Sequence, residues 1–364
     1  MNANWAMLLW QLAAVAAVVA SAFRDSRPGE ENRLLGRLQS DSPRADILLR
    51  HLIRAKLSPV AQEDEGWPPR EVTGALGPTS AVAVDSRGLV HILHRGPVVW
   101  NASSFDQNHV YRYQQSPISE PAIVVLDPKT GLVVGRWGQN MFFMPHGLYI
   151  DGEDHVWVTD VALHQVFRFP PNGTSAELVL GEAFVPGSGS GHFCQPTDVA
   201  LPPSGLVFIS DGYCNSRIAI FTPEGKHVTD VATRDGLWIP HSLTYVQRDN
   251  TVCVADRENQ RVLCFWAGLG PDFGFLRSSV TGQLGRVYAV ASVGSYLYGL
   301  QIDDGTSAAS GFRVELYPGS RVQTFSPRQR FIQPHDLAVS EDGRTLYAVD
   351  VDAANRKKVY KFRI

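Results

Sequence analysis

Three histidines, each directly after a proline, are the residues of this sequence best placed to do chemistry. They are His146, His241 and His335, and a leucine lies two residues after each. A fourth copy of the pattern keeps the proline but has Thr197 in place of the histidine. Histidine is the commonest metal ligand in proteins. If the chain folds into equivalent repeats, the pattern predicts that the three imidazoles meet at one metal ion.

The elements that must position these histidines repeat along the chain. Each unit has an apolar strand, a Gly or Asx turn, a second strand ending in aspartate, a polar turn and a third strand. Clear units begin at residues 148, 199, 243 and 337. The prolines are 51, 44 and 94 residues apart, and 94 is two periods of 47. A degenerate unit is therefore expected between the last two, with strands at 286–291 and 296–299, and a first unit lies at 80–94.

Antiparallel sheets repeated at this period are typical of propeller blades. The sequence therefore predicts an all-β fold, a six-bladed β-propeller. A solenoid is the alternative, and repeats without distinct caps favour a closed ring over it.

In a propeller the innermost strand of each blade lines a central channel. We call the residue after the repeated proline, and its equivalent in every blade, the channel position. His146, His241 and His335 hold it in blades two, four and six, which are related by about 120° around the ring. Three such imidazoles leave one open position, as at a catalytic zinc. A single histidine there would be read as a structural residue, but the alternating register favours the metal.

Charged and aromatic residues that follow the second strands are expected near the channel mouth. Arg95, Tyr213 and Arg257 lie in such turns. Guanidinium groups bind carboxylates through two parallel hydrogen bonds, and they lower a phenol pKa from its usual value of about 10. Arg257 alone equally suits a role in bracing its turn. The aspartates that recur in every clear blade are interpreted as turn residues, and they are Asp160, Asp211, Asp256 and Asp350.

The composition and the N-terminal residues indicate whether the protein binds nucleic acid and whether it is secreted. A net charge of −3, with 19% charged residues, argues against a nucleic-acid partner. Residues 5–20 are almost wholly apolar and lead into small residues at 20–22, which predicts a signal peptide over 1–22. A membrane anchor is the alternative, but a run of about 16 residues is short for a span. We expect a secreted protein without stable membrane insertion, a mobile leader or pro-region over 23–70 and the propeller over 71–364.

Secretion favours disulfides among the four cysteines. Cys253 and Cys264 lie on neighbouring predicted strands of blade four, which leaves Cys194 to pair with Cys214. The second bond would fix the neighbour of Tyr213. Asn101 and Asn172 stand in glycosylation triplets.

Several motifs resemble those of the peptidyl-α-hydroxyglycine α-amidating lyase family over residues 71–364. They lie at residues 94–96, 145–148, 157–167, 192–198, 210–217 and 254–259. The resemblance implies a propeller of NHL-type repeats. It also implies an enzyme that splits peptidyl-α-hydroxyglycine into a peptide amide and glyoxylate, the second step of peptide C-terminal amidation.

The resemblance also implies roles for single residues. It assigns a catalytic zinc to the three histidines, a structural calcium to the carbonyls of Val82 and Leu148 and the side chain of Asp336, and the same disulfide pairing. Arg95, Tyr213 and Arg257 match catalytic and substrate-binding positions. Gln333 replaces a methionine that lies near the substrate in the family, so the pocket or the rate is expected to differ here.

The family's copper monooxygenase domain is not found before the propeller, so the hydroxylated peptides are expected from a separate monooxygenase, and the protein is expected to be a monomer. Two other functions fit a six-bladed propeller. One is a non-catalytic NHL-type propeller that binds a peptide or protein ligand on one face. The other is a calcium-dependent lactonase, but such enzymes typically place acidic and Asn ligands in the channel. The three-histidine register favours the lyase over both.

Overall fold

The computed structural model describes residues 60–171, 173, 175–306, 308–316, 320–355 and 357–364. The predicted signal peptide, residues 23–59 of the predicted leader and Asn172 lie outside the described residues. Within the described part, no helix is long and apolar enough to cross a membrane.

Six four-stranded antiparallel sheets make up the described chain. Blade one contains β2 (Thr79–Val84), β3 (Val90–His94), β4 (Ile123–Leu126) and β5 (Val133–Trp137). Blade two contains β6 (Pro145–Ile150), β7 (Val156–Asp160), β8 (Gln165–Phe169) and β9 (Leu178–Leu180). Blade three contains β10 (Pro196–Ala200), β11 (Val207–Asp211), β12 (Arg217–Phe221) and β13 (His227–Val231).

The remaining blades follow the same plan. Blade four contains β14 (Pro240–Val246), β15 (Thr251–Asp256), β16 (Arg261–Trp266) and β17 (Leu276–Val280). Blade five contains β18 (Arg286–Val293), β19 (Tyr296–Asp303), β20 (Ala308–Glu315) and β21 (Gln323–Phe325). Blade six contains β22 (Pro334–Val339), β23 (Thr345–Asp350), β24 (Val359–Arg363) and, as its outermost strand, β1 (Gln62–Glu63).

The ring is closed, as predicted. Each inner strand contacts the inner strand of the next blade, and β22 of blade six contacts β2 of blade one. Apolar residues of adjacent blades pack together between the sheets: Phe208 and Ile220 of blade three, for example, share one cluster with Val252 and Phe265 of blade four. Burying each such side chain contributes roughly 1.5–3 kcal/mol, so the packing between adjacent blades stabilises the ring.

The boundary predicted at residue 71 lies too far along the chain. β1 pairs with β24, and a short helix, α1 (Arg70–Gly74), links it to blade one. Trp67 is 2% exposed and packs on Tyr347, with 5.1 Å between ring centroids. Residues 60–70 therefore belong to the propeller, because they complete blade six and cover its apolar surface.

A β-bulge lies at the channel position of every blade. The register between first and second strands shifts there in all six sheets. A bulge re-aims the residue that it contains. The residues so placed, in blade order, are Ser80, His146, Thr197, His241, Tyr288 and His335.

The recurring aspartates brace these bulges, which confirms their structural interpretation. Asp160 accepts a hydrogen bond from the backbone N–H of Phe143 at 2.7 Å. Asp256 does the same for Trp238 at 2.7 Å. The same bond recurs in blades three and six, where Asp211 accepts from Cys194 and Asp350 from Ile332. Each bond ties the end of the second strand to the segment that leads into the first.

Candidate active site

The three histidines converge, as the repeat predicted. His146, His241 and His335 each offer a ring nitrogen, and these nitrogens lie within 4.8 Å of one another. Their ring centroids are 4.7–4.8 Å apart, and all three residues are buried. This spacing suits three ligands of one ion, with the remaining coordination position left for a substrate.

Backbone carbonyls fix the tautomer of each imidazole. Nδ1 of His146 lies 2.8 Å from the Thr197 carbonyl oxygen, Nδ1 of His241 lies 2.6 Å from that of Tyr288, and the third Nδ1 lies 2.6 Å from that of Ser80. A carbonyl oxygen only accepts hydrogen bonds, so each Nδ1 carries the proton. Each Nε2 therefore keeps its lone pair, which is the state a metal ligand needs.

Burial also keeps these rings neutral. It lowers the pKa of His335 to about 3, with Arg95 acting in the same direction. It lowers the pKa of His146 and His241 well below the usual value, helped by the neighbouring histidines. Neutral imidazoles with inward Nε2 atoms fit a bound metal ion.

Tyr213 lies directly against this cluster. Its hydroxyl oxygen is 3.1 Å from Nε2 of His146, 3.0 Å from Nε2 of His241 and 3.5 Å from Nη1 of Arg257. Burial raises the pKa of Tyr213, and Arg257 and Arg95 offset part of this increase. The expected lowering of the Tyr213 pKa by the arginines is wrong for the protein side chains by themselves. Removing the phenol from water raises its pKa by more than the two guanidinium groups lower it.

Arg95 presents an unused donor to the site. Its Nε donates to the Pro145 carbonyl oxygen at 3.0 Å, whereas its buried Nη2 has no hydrogen-bond partner among the described residues. Burial lowers the pKa of Arg95 to about 10, so the side chain stays charged at neutral pH. A buried donor without a partner is costly, and an anionic acceptor such as a carboxylate would satisfy it.

Arg257 braces its turn and also lies against Tyr213. Its Nε donates to the carboxylate of Glu258 at 2.7 Å, which braces the turn. Its guanidinium carbon also lies 5.2 Å from the centroid of the Tyr213 ring and 5.1 Å from that of Tyr288. Bracing the turn therefore aims this cation at the phenol.

Two carboxylates line the channel beside the histidines. Asp336 accepts a hydrogen bond from the backbone N–H of Val82 at 3.0 Å, and Asp198 accepts one from Leu243 at 2.8 Å. Burial raises the pKa of Asp198 to about 7 and that of Asp336 well above its usual value, and the two carboxylates repel each other. Two facing carboxylates fit a cation between them. Asp198 was not predicted from the sequence, although it follows the channel position just as Asp336 does.

A long connection covers one side of the site. Residues 97–121, between β3 and β4, form a segment that we call the cap, closed by a bridge between Phe105 and Tyr111. Trp100 of the cap packs on Tyr213 with 4.7 Å between ring centroids, and the Arg95 guanidinium lies 5.7 Å from the same indole. Sequence reasoning did not identify Trp100, and the only signal was the aromatic content of this long connection.

Both predicted disulfides are present, Cys194–Cys214 and Cys253–Cys264. The first ties the segment before β10 to the turn that carries Tyr213. Gly212, just before that tyrosine, approaches the Pro240 carbonyl so closely that a Cβ would lie 2.1 Å from the oxygen. The disulfide and the glycine together hold the tyrosine's turn against blade four.

Two other residues predicted from the sequence, Gln333 and Asn101, are exposed. Gln333 donates its backbone N–H to Asp350 and has an exposed side chain. Asn101 is exposed on the cap, where its side-chain oxygen accepts a hydrogen bond from Ser103. The substrate contact of Gln333 and the glycosylation of Asn101 and Asn172 stay predictions.

The chain is similar to known proteins to different extents. Residues 193–221 and 237–265 match the NHL repeat family. The chain is 37% identical over 306 residues to peptidyl-alpha-hydroxyglycine alpha-amidating lyase 2 of Drosophila melanogaster. The match covers 82% of this chain and 74% of that protein.

A longer relative and a solved structure add context. The chain is 43% identical over 317 residues to peptidyl-glycine alpha-amidating monooxygenase B of Xenopus laevis, covering 83% of this chain and 35% of that protein, so it spans about a third of that relative's length. A catalytically inactive virginiamycin B lyase from Staphylococcus aureus has a TM-score of 0.51 at 15% identity, covering 80% of this chain and 96% of that one. At that identity the likeness concerns the fold alone.

Proposed function

This chain belongs to the peptidyl-α-hydroxyglycine α-amidating lyase family, and on that premise we propose that it cleaves peptidyl-α-hydroxyglycine to a peptide amide and glyoxylate. The observation that carries the proposal is one cluster. Three neutral imidazoles face one point, and the Tyr213 hydroxyl lies 3.0 Å from one of them. The unpartnered Nη2 of Arg95 is buried beside them.

The reaction needs a base for the α-hydroxyl proton and a proton for the departing nitrogen. As the hydroxyl proton leaves, its oxygen forms the aldehyde C=O, the carbon–nitrogen bond breaks and the electron pair passes to the amide nitrogen. A cation held by the three histidines would favour the ionised form of Tyr213 despite its burial. The phenolate then takes the hydroxyl proton and, as a phenol, returns one to the nitrogen, so atoms and charge balance. When bound by the three histidines, a zinc ion supplies Lewis-acid chemistry that makes an α-hydroxyl more acidic.

Arg95 and Arg257 have separate roles in the proposed reaction. Arg95 binds the substrate carboxylate through the donor that the protein leaves free, which orients the reacting carbon. Arg257, over the Tyr213 ring, stabilises the ionised phenol. Its positive charge opposes the effect of burial on the pKa of that hydroxyl.

The calcium site of the family is proposed for the carbonyls of Val82 and Leu148 and for the side chain of Asp336. These residues come from blades one, two and six, so one ion would join three consecutive blades. The raised pKa values of Asp336 and Asp198 support a cation there, because a positive charge relieves the repulsion between two carboxylates.

We also propose that the protein is a secreted monomer that receives α-hydroxyglycine-extended peptides from a separate monooxygenase. Two disulfides among the described residues support an oxidising compartment. The Xenopus relative is itself named as a monooxygenase, which is consistent with a hydroxylating step before the lyase.

Incubation of the purified, zinc-loaded protein with an α-hydroxyglycine-extended peptide tests the proposal. Glyoxylate and the peptide amide should form in equal amounts, a chelator should stop the reaction and added zinc should restore it. Tyr213→Phe is the matched variant, since it keeps the ring but removes the hydroxyl. If the zinc-loaded protein forms no glyoxylate, the lyase assignment is wrong and a non-catalytic peptide-binding propeller becomes the better hypothesis.

A further inference from the structure

Two groups of the proposed site come from different blades and meet on one side chain. Arg95 follows β3 of blade one, and Tyr213 follows β11 of blade three. Both lie against the indole of Trp100, Tyr213 with 4.7 Å between ring centroids and Arg95 with its guanidinium carbon 5.7 Å from the ring. Trp100 therefore contacts both the proposed base, Tyr213, and Arg95, which is proposed to donate hydrogen bonds to the substrate carboxylate.

Each of the two groups is only partly fixed by other contacts. Among the described residues, the side chain of Arg95 is held by a hydrogen bond from Nε to the Pro145 carbonyl, and the Nη2 that would meet a carboxylate has no partner there. A guanidinium is attracted to the face of an indole, so the contact with Trp100 restrains the Arg95 side chain and the direction in which its N–H groups point.

Tyr213 is held at its hydroxyl and at its ring. The hydroxyl lies within hydrogen-bond distance of His146 and His241, and Arg257 covers the ring at 5.2 Å. The rings of His146 and His241 pack edge-on against it, and Trp100 makes the nearest aromatic contact, at 4.7 Å. Removing Trp100 would therefore leave one side of the ring uncovered and let it tilt about its hydroxyl.

The cap holds Trp100 in turn. Phe105 packs on Trp100 with 5.2 Å between ring centroids, and Phe105 is paired with Tyr111 across the base of the cap. Tyr111 also packs on Phe143, which precedes the first channel histidine by three residues. A continuous set of aromatic rings thus connects the cap to the metal-binding strand of blade two.

We infer that Trp100 is a positioning residue for the lyase reaction, which holds the Arg95 guanidinium and the Tyr213 ring in the relative orientation that the substrate carboxylate and hydroxyl require. The inference rests on the proposed function. It assigns the cap a task in substrate recognition: the cap selects ligands with a free terminal carboxylate by keeping Arg95 aimed.

The first test is binding, because it does not depend on turnover. A glycine-extended peptide carries the carboxylate but no α-hydroxyl, and the corresponding peptide amide lacks the carboxylate. Calorimetry on zinc-loaded protein should show that Trp100→Ala weakens binding of the glycine-extended peptide about tenfold. Binding of the peptide amide should stay within about twofold. Trp100→Phe, which keeps a ring, should recover most of the loss.

Trp266→Ala is the matched control. Trp266 also carries an arginine over its ring, Arg277 at 5.1 Å, but it lies on β16, outside the site. This variant should bind both peptides as the unchanged protein does. If Trp100→Ala does not fold, Trp100→Leu, which keeps apolar volume without a ring, takes its place. Equal weakening of both peptides, or of neither, would overturn the inference.

A second test uses turnover and a double-mutant cycle. Trp100→Ala should lower kcat and raise KM, together lowering kcat/KM by roughly 100-fold. In the Tyr213→Phe background the kcat part of the loss should largely disappear, whereas a merely structural effect would be the same in both. Full additivity would contradict the role at Tyr213. If the unchanged protein makes no glyoxylate, the proposed function fails, but the binding comparison still decides whether Trp100 orients Arg95.

Discussion

Alternate blades of this propeller share one backbone and make opposite contributions to the site. Blades two, four and six place an imidazole at the channel position, whereas blades one, three and five place Ser80, Thr197 and Tyr288 there. The even blades supply the ring nitrogens. The odd blades supply the carbonyl oxygens that accept hydrogen bonds from the imidazoles. Each imidazole donates to the carbonyl of the next blade around the propeller.

The comparison shows how one structural device produces two functions. All six blades have a β-bulge at this position, so every blade turns one residue toward the channel. At the histidine cluster, an even blade contributes its imidazole and an odd blade contributes its backbone carbonyl. Backbone atoms of the odd blades, and not their side chains, therefore fix the tautomers of the three histidines.

The largest expected effect comes from removing a ligand in an even blade. His241→Ala should abolish stable zinc retention and slow glyoxylate formation by more than about 100-fold, since two imidazoles cannot complete the site. Elemental analysis after gel filtration measures the first effect and a glyoxylate assay the second. A variant that keeps one zinc per chain would show that the ring of three histidines is not the metal site.

The sequence predicted those features that depend on period and residue type. Six blades, the meeting of the histidines and both disulfides follow from spacings that can be read along the chain. The odd-blade carbonyls could not be predicted, because a backbone oxygen has no sequence signature. The contact of Trp100 with Tyr213 depends on how a long loop folds, and β1 has only two residues, too few to show a periodic pattern. The pKa of Tyr213 was misjudged because burial is a property of the whole site.

The two disulfides extend the comparison, since one lies beside the site in blade three and the other within blade four. They close loops with sequence separations of 20 and 11 residues. Replacing either pair by alanine should cost about 3 kcal/mol of unfolding free energy, measured in urea. Only Cys194→Ala with Cys214→Ala should also lower kcat, by roughly tenfold, because Cys214 adjoins Tyr213. Equal losses of kcat in both double variants would show that the Cys194–Cys214 disulfide has no special role in positioning Tyr213.

A buried histidine outside the channel sharpens the contrast with the channel histidines. His164 accepts a hydrogen bond at Nδ1 from the backbone N–H of Gln195 at 3.0 Å, whereas the channel histidines donate from Nδ1. Burial lowers the pKa of His164 to about 4. The unfolded chain takes up a proton near the ordinary value of about 6.5, so this residue makes stability fall as the pH drops from 6.5 toward 4.

His164→Asn keeps an acceptor for Gln195 and removes the titration. The difference in unfolding free energy between pH 7.5 and pH 4.5 should be smaller in this variant by about 2 kcal/mol. Urea unfolding at the two pH values measures it. An unchanged difference would mean that His164 is not protonated on unfolding in this range, and its burial would then have no role in acid sensitivity.

The smallest expected effect comes from the odd blades and tests the comparison most directly. Oγ1 of Thr197 lies 2.8 Å from the Pro240 carbonyl oxygen and 2.7 Å from the hydroxyl of Ser210. Thr197→Val keeps the shape and loses these bonds, which should cost about 1 kcal/mol of stability. The carbonyl at position 197 still accepts from His146, so zinc content and kcat should stay within about twofold of the unchanged protein. Loss of zinc in this variant, as in His241→Ala, would mean that odd blades act through their side chains, and the division between alternate blades would not hold.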